Sequence, residues 1–373
     1  MVSSDDELAA WMRLLETPGV GRSTARRLLA AFGSAAAIFE APAAAVRQVV
    51  NATLCDSLFA KPSAAQAALL ARTREWLAGD STVSPRRLLT LGDPDYAQSL
   101  LQSADPPLLL YAQGRIELLN TPALAIVGSR RPTPMGRENA RSFAADLGRN
   151  GLTIVSGLAH GIDGAAHEAA LDAGAGSIAV VGTGLDRVYP AAHKALARRL
   201  STDGLLISEF PLGTEPLAGN FPSRNRIIAA MTRGTLVVEA ALRSGSLITA
   251  RLAVEAGRDV FAVPGSIRSL QSQGCHALIK QGAKLVETAQ DILEELSMGN
   301  PASASGAVDP ASNETPRGNA LLDALGHDPV TLDALLARTG MSVEVLAAAL
   351  LEFELAGQVA RLPGQLYQRI GFA

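Results

Sequence analysis

Arg224 and Arg226 lie on either side of Asn225 in the stretch NFPSRNRII, directly before an apolar run. A guanidinium group is a planar fork of donors that fits a phosphate in a bidentate geometry. Phe221 comes a few residues earlier, and an aromatic ring beside arginines suits a base stacked over a neutralised backbone. Taken alone, the stretch favours the plainer interpretation, in which Phe221 is a core residue and both arginines pair with nearby acids. The acids available for such pairs are Glu209, Glu215 and Glu239.

Small polar residues recur in four other segments, each directly after a short apolar run. They are Gly128, Ser129, Arg130 and Arg131; Ser156 and Gly157; Gly182, Thr183 and Gly184; and Ser244, Gly245 and Ser246. Such turns expose backbone N–H groups, and serine and threonine add hydroxyl donors, so a turn of this kind before a helix binds anions, most often phosphate. Several of these turns along one rim predict a site for several phosphates.

Other groups of polar residues are weaker candidates. His160, Asp163 and His167 could share one helical face and hold a metal, but a capped helix with polar residues explains them better, and we expect no metal. The turn GTGLDR lacks the third glycine of a dinucleotide fingerprint, so we expect no cofactor. The sequence contains no GxxxxGK[ST], HExxH or GxSxG motif and no obvious nucleophile with its base.

The segment 84–298 contains the elements that must position these turns. Its apolar runs predict six buried strands at 123–129, 152–157, 177–184, 205–210, 235–240 and 259–265. Helical stretches separate them, and buried strands that alternate with helices form a parallel sheet covered on both faces. The prediction is a Rossmann-like, doubly wound α/β domain, in which ligands bind beyond the carboxyl ends of the strands.

The flanking segments predict separate units. Residues 1–83 have an all-helical pattern, and the Pro-Gly-Val-Gly turn in LLETPGVGRSTARRLLAAFGS is typical of a helix-hairpin-helix. Eight basic and eight acidic residues balance there, so a plain helical hairpin is slightly favoured over a DNA-binding one. Residues 299–316 read as a linker. Residues 317–373 predict three helices and a two-stranded ribbon, which suggests a small winged helix.

Composition sets broad limits. The chain has 373 residues, 48% hydrophobic content and a net charge of -3, which allows two or three domains and predicts no partner by charge alone. Of the 33 basic residues only four are lysines, a bias that a GC-rich genome also produces. Two cysteines and an acidic N-terminus fit a reducing cytoplasm, and no apolar run reaches the length of a membrane span.

Four segments, in order from residue 125 to 286, resemble the DprA (Smf) family of DNA-processing proteins of natural transformation. They are AIVGSRRPTPMG, IVSGLAHGIDGAAHEAAL, FPSRNRIIAAMTRGTLVVEAALRSGSLITARLAVEAGRDVFAVPG and QGCHALIKQGAKLV. The resemblance implies a helical, sterile-alpha-motif-like N-terminal domain and a C-terminal winged helix. It also implies a binding protein, not an enzyme, that takes single-stranded DNA without sequence preference, helps to displace single-strand-binding protein and loads RecA.

The resemblance also implies which residues carry these functions. The DNA pocket would comprise residues of three of the turns that the phosphate argument selects, together with Phe221, Arg224, Asn225 and Arg226. The turn residues are Gly128, Ser129, Arg130, Ser156, Gly157, Ser244, Gly245 and Ser246. A homodimer would form through the segment GCHALIKQGAKLV, with His276 and Leu285 at the interface and RecA nearby. The stretch LAGNFP lacks the lysine that many relatives carry before the Phe-Pro pair, so one phosphate contact is missing or comes from elsewhere.

Two further expectations concern function. The segment SVEVLAAALLEFELAG, which would be the recognition helix of the winged helix, has three glutamates and no basic residue, so we expect it to bind protein or pack against a neighbour. The alternative overall function is a nucleotide-binding enzyme of the phosphoribohydrolase (lysine-decarboxylase-like) type, or a nucleotide sensor without catalysis. The enzymes place a glutamate soon after a glycine turn, whereas the turn SGSLITA is followed by no acid until Glu255.

Overall fold

The computed structural model describes residues 4–79, 82–296, 320–326, 329–364 and 366–370. The predicted linker, residues 299–316, lies outside the described residues. Helices dominate up to residue 79, strands and helices alternate from 86 to 295, and a small helical and stranded unit follows from 320.

The N-terminal helices form where caps and apolar spacing agree. Ser4 caps the first helix by accepting a bond from the Glu7 N–H, and acidic residues occupy its first turn. The turn between the first two helices places Gly19 at φ +88°, a conformation that favours glycine. The predicted all-helical segment is confirmed. Its helices are α1 (Asp5–Leu15), α2 (Arg22–Phe32), α3 (Ala35–Glu40), α4 (Ala43–Val46), α5 (Ala52–Phe59) and α6 (Ala64–Ala78).

A nine-stranded sheet forms the centre of the molecule. Its strands are β1 (Arg86–Thr90), β2 (Leu109–Gly114), β3 (Ala123–Val127), β4 (Thr153–Ser156), β5 (Ser177–Val180), β6 (Leu205–Ser208), β7 (Gly234–Val237), β8 (Asp259–Ala262) and β9 (Lys284–Leu285). Their spatial order is β1-β2-β6-β5-β4-β3-β7-β8-β9. All six predicted strands are present and mutually parallel, which confirms the doubly wound prediction.

The sheet differs from the expectation of an all-parallel sheet at one end. There β1 and β2 pair antiparallel, and β2 pairs antiparallel with β6. The two strands lie at the edge of the sheet. Antiparallel neighbours can be joined by a chain that simply turns back, whereas parallel neighbours need a crossover helix. The sequence reasoning did not identify either strand.

Helices cover both faces of the sheet. They are α7 (Gln98–Leu101), α8 (Pro134–Arg149), α9 (Ile162–Asp172), α10 (Lys194–Asp203), α11 (Asn220–Met231), α12 (Ser246–Glu255), α13 (Gln273–Lys280) and α14 (Ala289–Glu295), with 3-10 turns at Ile116–Asn120 and Ala191–His193. Alternate residues of each strand face opposite layers. Leu124 and Ile126 of β3 pack towards α8, α9 and α14, whereas Ala125 and Val127 pack towards α11 and α12.

The helical N-terminal unit packs directly against the antiparallel end of the sheet. Trp11, Leu58 and Trp76 share one hydrophobic core with Leu88 of β1 and Tyr111 of β2. The Trp76 and Tyr111 rings meet edge to face, with centroids 5.8 Å apart. The two antiparallel strands therefore serve as the platform on which the N-terminal helices sit.

The C-terminal unit confirms the predicted winged helix. Its elements are α15 (Ala320–Leu325), β10 (Val330–Thr331), α16 (Leu332–Thr339), α17 (Val343–Leu355), β11 (Val359–Leu362) and β12 (Leu366–Arg369). Strands β11 and β12 form the predicted ribbon, and β10 adds a third strand beside β12.

Among the described residues, no single helix is long and apolar enough to cross a membrane. Taken together, α16 and α17, which are bent by 111° relative to each other, reach the required length and apolar composition, and no other property supports a span.

Candidate nucleic-acid interface

The topology of the sheet creates a crevice between β3 and β7. These strands are neighbours, but the chain leaves β3 through α8 to one side of the sheet and leaves β7 through α12 to the other. Such a switch point opens a crevice beyond the carboxyl ends of the strands. A cleft of about 810 Å³ lies there, lined by the loop after β3, the loop after β7 and the first turns of α11.

The charge of the cleft is strongly positive. Its described lining carries four arginines, Arg130, Arg131, Arg224 and Arg243, and a single carboxylate, that of Asp163. Arg130, Arg131 and Arg243 are exposed. Among the residues that the structure describes, none of these three forms an ion pair with an acid. Three guanidinium groups are therefore free to meet an anion from solvent.

Arg224 has a different position from these three, because it forms the floor of the cleft. The residue is only 4% exposed. Its Nη1 donates to the backbone carbonyls of Gly157, at 2.6 Å, and Val180, and its Nε donates to Asn225 Oδ1 at 3.0 Å. A Cβ at Gly157 would lie 2.5 Å from the guanidinium, so this position requires glycine. Burial lowers the pKa of Arg224 to about 10, and Asp163 opposes that shift.

Asp163 is the buried counter-charge of Arg224. Its Oδ2 accepts hydrogen bonds from the N–H groups of Gly157 at 3.0 Å and Ala159 at 3.3 Å. Burial raises the pKa of this carboxyl, whereas Arg224 and the two N–H donors act in the opposite direction. All of these contacts brace the loop after β4, so Asp163 holds the cleft floor in shape.

Two aromatic rings form one wall of the cleft. The Phe221 and Tyr189 ring centroids are 5.6 Å apart, with 37° between the planes. The Arg130 guanidinium lies over the Phe221 ring at 5.6 Å, within cation–π range. Gly182 makes room for this ring, because a Cβ there would lie 3.2 Å from it. Tyr189 is 46% exposed, so the pair presents aromatic surface to any ligand in the cleft.

Two of the four small-residue turns line the cleft. Gly128, Ser129, Ser244, Gly245 and Ser246 do so, as expected from their positions after β3 and β7, whereas Gly182, Thr183 and Gly184 are not in the described lining.

Ser156 and Gly157 are not among the cleft-lining residues, contrary to expectation. The Ser156 hydroxyl donates to the Ile126 carbonyl at 2.6 Å, and the Gly157 N–H is occupied by Asp163. They support Arg224 and the loop from below because β4 ends one strand further from the switch point.

Arg226 lies outside the cleft lining, so the ion-pair alternative describes its position. Its Nη2 bonds Glu209 Oε2 at 2.6 Å, and its Nε lies 3.3 Å from Asp105 Oδ2. Arg22 and Arg26 of α2 join the same acids. This network ties the N-terminal unit to the central domain.

Replacing Arg226 by alanine is therefore expected to lower stability and leave nucleic-acid affinity within about twofold. Glu209 and Arg226 side chains are only 13% and 15% exposed, and loss of a charged partner there costs about 1–3 kcal/mol. Urea unfolding and oligonucleotide anisotropy measure the two effects. The control is Arg141→Ala, which breaks exposed pairs with Glu168 and Asp172 and should cost under about 1 kcal/mol. A tenfold loss of affinity at unchanged stability would contradict this assignment.

Sequence reasoning placed Arg131 in the turn after β3 but did not count it as a binding residue, and it missed Arg243 and Tyr189. Arg243 adjoins the Ser244–Ser246 turn, so extending that turn by one residue would have found it. Tyr189 follows the GTG turn in a loop without periodicity, and only the fold brings it to Phe221.

The weaker metal candidates are engaged in other contacts. His167 Nδ1 lies 2.8 Å from Ser177 Oγ, and burial lowers the pKa of His167 to about 3, which keeps the ring neutral. The His160 ring packs edge to face on His193. Within the described residues, no group of three His, Cys, Asp or Glu side chains is arranged to hold a metal ion.

Glu255, the first acid after the SGSLITA turn and so the carboxylate that a nucleotide hydrolase would use, is not in the described lining of the cleft. Glu255 is the last residue of α12, whose first residue, Ser246, lines the cleft. A helix rises 1.5 Å per residue, so Glu255 lies about 13 Å along the axis from Ser246.

The two residues assigned to a dimer interface lie at the opposite end of the sheet from β1. Leu285 is 45% exposed on β9, whose outer edge has no strand partner among the described residues. His276 is half-buried on α13, and its Nε2 lies 2.9 Å from the Gly265 carbonyl.

Comparison with known protein families finds matches along most of the chain. The DNA recombination-mediator protein A family matches residues 87–297, the DprA-like N-terminal HHH domain matches 5–70 and the DprA winged helix domain matches 305–365. Protein Smf of Escherichia coli K12 is 46% identical over 276 residues, which cover 72% of this chain and 74% of Smf. DNA processing protein DprA of Streptococcus pneumoniae R6 is 51% identical over 203 residues, 54% of this chain and 72% of that protein.

Solved structures agree with this result. The X-ray structure of DprA from Streptococcus pneumoniae superposes with a TM-score of 0.68 at 38% identity, covering 79% of this chain and 99% of that one. DprA from Helicobacter pylori, whose structure was described for its single-stranded DNA binding mode, gives 0.52 at 32% identity, covering 57% and 96%. The chain therefore belongs to the DNA recombination-mediator protein A (DprA) family of DNA-processing proteins.

Proposed function

We propose that this protein binds single-stranded DNA without sequence preference in the cleft between β3 and β7. The observation that carries the proposal is the set of three exposed arginines without acid partners, which share the cleft with the Phe221–Tyr189 pair. Guanidinium groups and the N–H groups of the turns bind phosphates, which are the same at every nucleotide. Aromatic rings stack on any base, so neither type of contact selects a sequence.

The same arrangement supports a preference for single strands over duplexes. A base can stack on Phe221 or Tyr189 only when it is free of its own partner strand. The exposed arginines and the two rings line one cleft of about 810 Å³, which suits a single flexible backbone. The Helicobacter relative, described as binding single-stranded DNA, supports this assignment.

The proposal extends to assembly with other proteins. The family resemblance and the family's description as a recombination mediator support loading of RecA onto the bound strand and displacement of single-strand-binding protein. A homodimer through the β9 end of the sheet would place two clefts in one particle. Binding, positioning and hand-over of a strand need no catalytic group, and we propose that the protein is not an enzyme.

Fluorescence anisotropy with labelled oligo(dT), oligo(dC), a mixed sequence and a duplex tests the binding proposal. The single strands should bind with similar affinity and the duplex more weakly. The logarithm of affinity should fall with the logarithm of salt concentration at about -0.7 per phosphate contacted. Tight binding of the duplex, or release of free base from nucleoside monophosphates, would favour the alternatives.

Replacing Tyr189 by alanine should weaken binding of all single strands by about 1–3 kcal/mol, the contribution of one stacked base. Tyr189→Phe keeps the ring and should bind like the wild type, and the salt dependence should stay unchanged because no charge is lost. Anisotropy gives the affinities, and 2-aminopurine placed in the oligonucleotide reports the stacking. Equal affinity of the alanine variant and the wild type would remove Tyr189 from the proposed site.

Replacing Leu285 by arginine should convert the proposed dimer to monomers, because the charged group would be desolvated in an apolar contact. Light scattering after gel filtration measures the mass directly. The matched control is Val254→Arg, which alters an apolar and more exposed site on α12. A Leu285→Arg variant that keeps the mass of two chains would show that the interface lies elsewhere.

A further inference from the structure

The outer face of α17 is unusually apolar for a solvent-exposed helix. Leu346 and Leu350 point into the core of the winged helix. On the opposite side Leu351 and Leu355 are 56% and 81% exposed, because no other described element covers them. Together with Ala348 they follow the spacing i, i+3, i+7, which places them in one stripe along the helix. A stripe of this kind is the half of a helix–helix contact that faces a partner.

Acidic residues border this stripe. Glu352 and Glu354 flank it and Glu344 lies in line with it at its N-terminal end; all three are exposed, and α17 carries no basic residue. Within the described part of the chain, none of the three forms an ion pair. The apolar stripe therefore lies beside carboxylates that form no ion pair with any described residue.

These charges decide between the possible occupants. In a winged helix this outer face is the one that enters the major groove of duplex DNA, where three carboxylates would meet phosphates of the same sign. A second copy packed through the same face would bring glutamates against glutamates, since α17 carries nothing to neutralise them. A cationic partner removes both conflicts. The segment 297–319, which joins this unit to the central domain, contains few large apolar residues and cannot supply matching ones.

We propose that the outer face of α17 is a docking site for a basic amphipathic helix of another protein. Leucine-sized side chains of that helix would pack on Ala348, Leu351 and Leu355, and its lysines or arginines would flank the stripe opposite Glu344, Glu352 and Glu354. The apolar contact contributes most of the affinity, whereas the charges select the partner and its orientation. This site is separate from the cleft and does not rest on single-stranded DNA binding.

The test uses the full chain and two designed helical peptides. Both carry leucines at i, i+3, i+4 and i+7; one has lysines on the flanks of the stripe and the other has glutamates. The lysine peptide should bind at least about tenfold more tightly, as measured by anisotropy, and salt should reduce the difference. Leu351→Ser combined with Leu355→Ser should weaken the lysine peptide by about tenfold or more, because two exposed leucines lose their contact. Both positions are on the surface, so folding should be preserved.

A charge exchange separates this contact from general attraction to an acidic protein. Glu352→Lys combined with Glu354→Lys should reverse the preference in favour of the glutamate peptide. The control is Val254→Ser on α12, an exposed apolar site away from α17, which should leave both affinities unchanged. Equal binding of the lysine peptide to the double serine variant would overturn the proposal. A fall in particle mass in that variant would identify a second copy as the occupant, and loss of duplex binding would identify DNA.

Discussion

Replacement of Arg130 by alanine is expected to weaken the binding of oligo(dT) by about 10- to 150-fold. Arg130 is exposed at the cleft, has no acid partner among the described residues and lies over the Phe221 ring at 5.6 Å. A hydrogen bond between charged groups contributes about 1.5–3 kcal/mol, which corresponds to that range. Loss of one phosphate contact should also reduce the salt slope by about 0.7. Anisotropy titrations at several salt concentrations measure both quantities.

A matched variant separates this effect from a general change in charge. Arg198 is exposed on α10 but does not line the cleft, so Arg198→Ala removes the same charge from another surface. It should change affinity by less than about twofold, because charges further away than a Debye length of roughly 8–10 Å are largely screened. All sequences should be affected alike by Arg130→Ala. A normal affinity in that variant would remove the cleft from consideration as the binding site.

Replacement of Arg224 by methionine is expected to destabilise the protein by about 3–5 kcal/mol, the cost of leaving a buried charge without its partner. Methionine preserves much of the side-chain volume but leaves Asp163 buried and uncompensated. Affinity for oligo(dT) should fall as well, because the loop after β4 loses its anchor on the Gly157 carbonyl. Urea unfolding followed by circular dichroism measures the free energy of unfolding.

The loss of stability in Arg224→Met should depend on pH, and the direction of that dependence follows from Asp163. Burial raises the folded-state pKa of Asp163, so the folded state binds this proton more tightly than the unfolded state, and the contribution of Asp163 to stability falls as pH rises through that range. Without Arg224 the pKa of Asp163 should rise further. The difference in free energy of unfolding between the wild type and Arg224→Met should therefore be largest near neutral pH. It should become smaller in acid, where a protonated Asp163 carries no charge.

A second substitution tests the electrostatic explanation directly. Asp163→Asn in the Arg224→Met background removes the remaining buried charge and keeps an oxygen that can accept from Gly157 and Ala159. This double variant should recover about half of the lost stability at pH 7, because the two substitutions share one interaction and are not additive. If the double variant is less stable than Arg224→Met, packing rather than charge governs this site.

These variants separate the five arginines at or near the cleft into those that bind a ligand and those that stabilise the fold. Arg130, Arg131 and Arg243 are exposed and face the cleft, so their removal should change binding first. Arg224 and Arg226 are held by internal contacts, so their removal should change stability first. Residue type alone does not make this distinction, since all five are arginines close to the same cleft.

The sequence by itself determined the architecture and the rim on which the cleft lies. Five of the six predicted strands are buried along their whole length, and the sixth, β8, is buried except at Asp259. Such buried runs between helices have one common solution, a parallel sheet. The carboxyl ends of parallel strands share one edge, so turns such as 128–130 and 244–246 had to lie together. The antiparallel strands β1 and β2 escaped prediction because their pairing depends on the N-terminal helices that cover them.

Only the tertiary structure decided which side chains reach the cleft. Residues two apart on a helix point about 200° away from each other, so Arg224 and Arg226 could not both face the same rim, but nothing local says which one turns inwards. That depended on Asp163 lying below one and Glu209 and Asp105 beside the other. Tyr189 reached Phe221 through a loop whose course is set by contacts distant in sequence. Contacts between residues distant in sequence therefore decided which way each of these side chains points, because the local sequence pattern allows either direction.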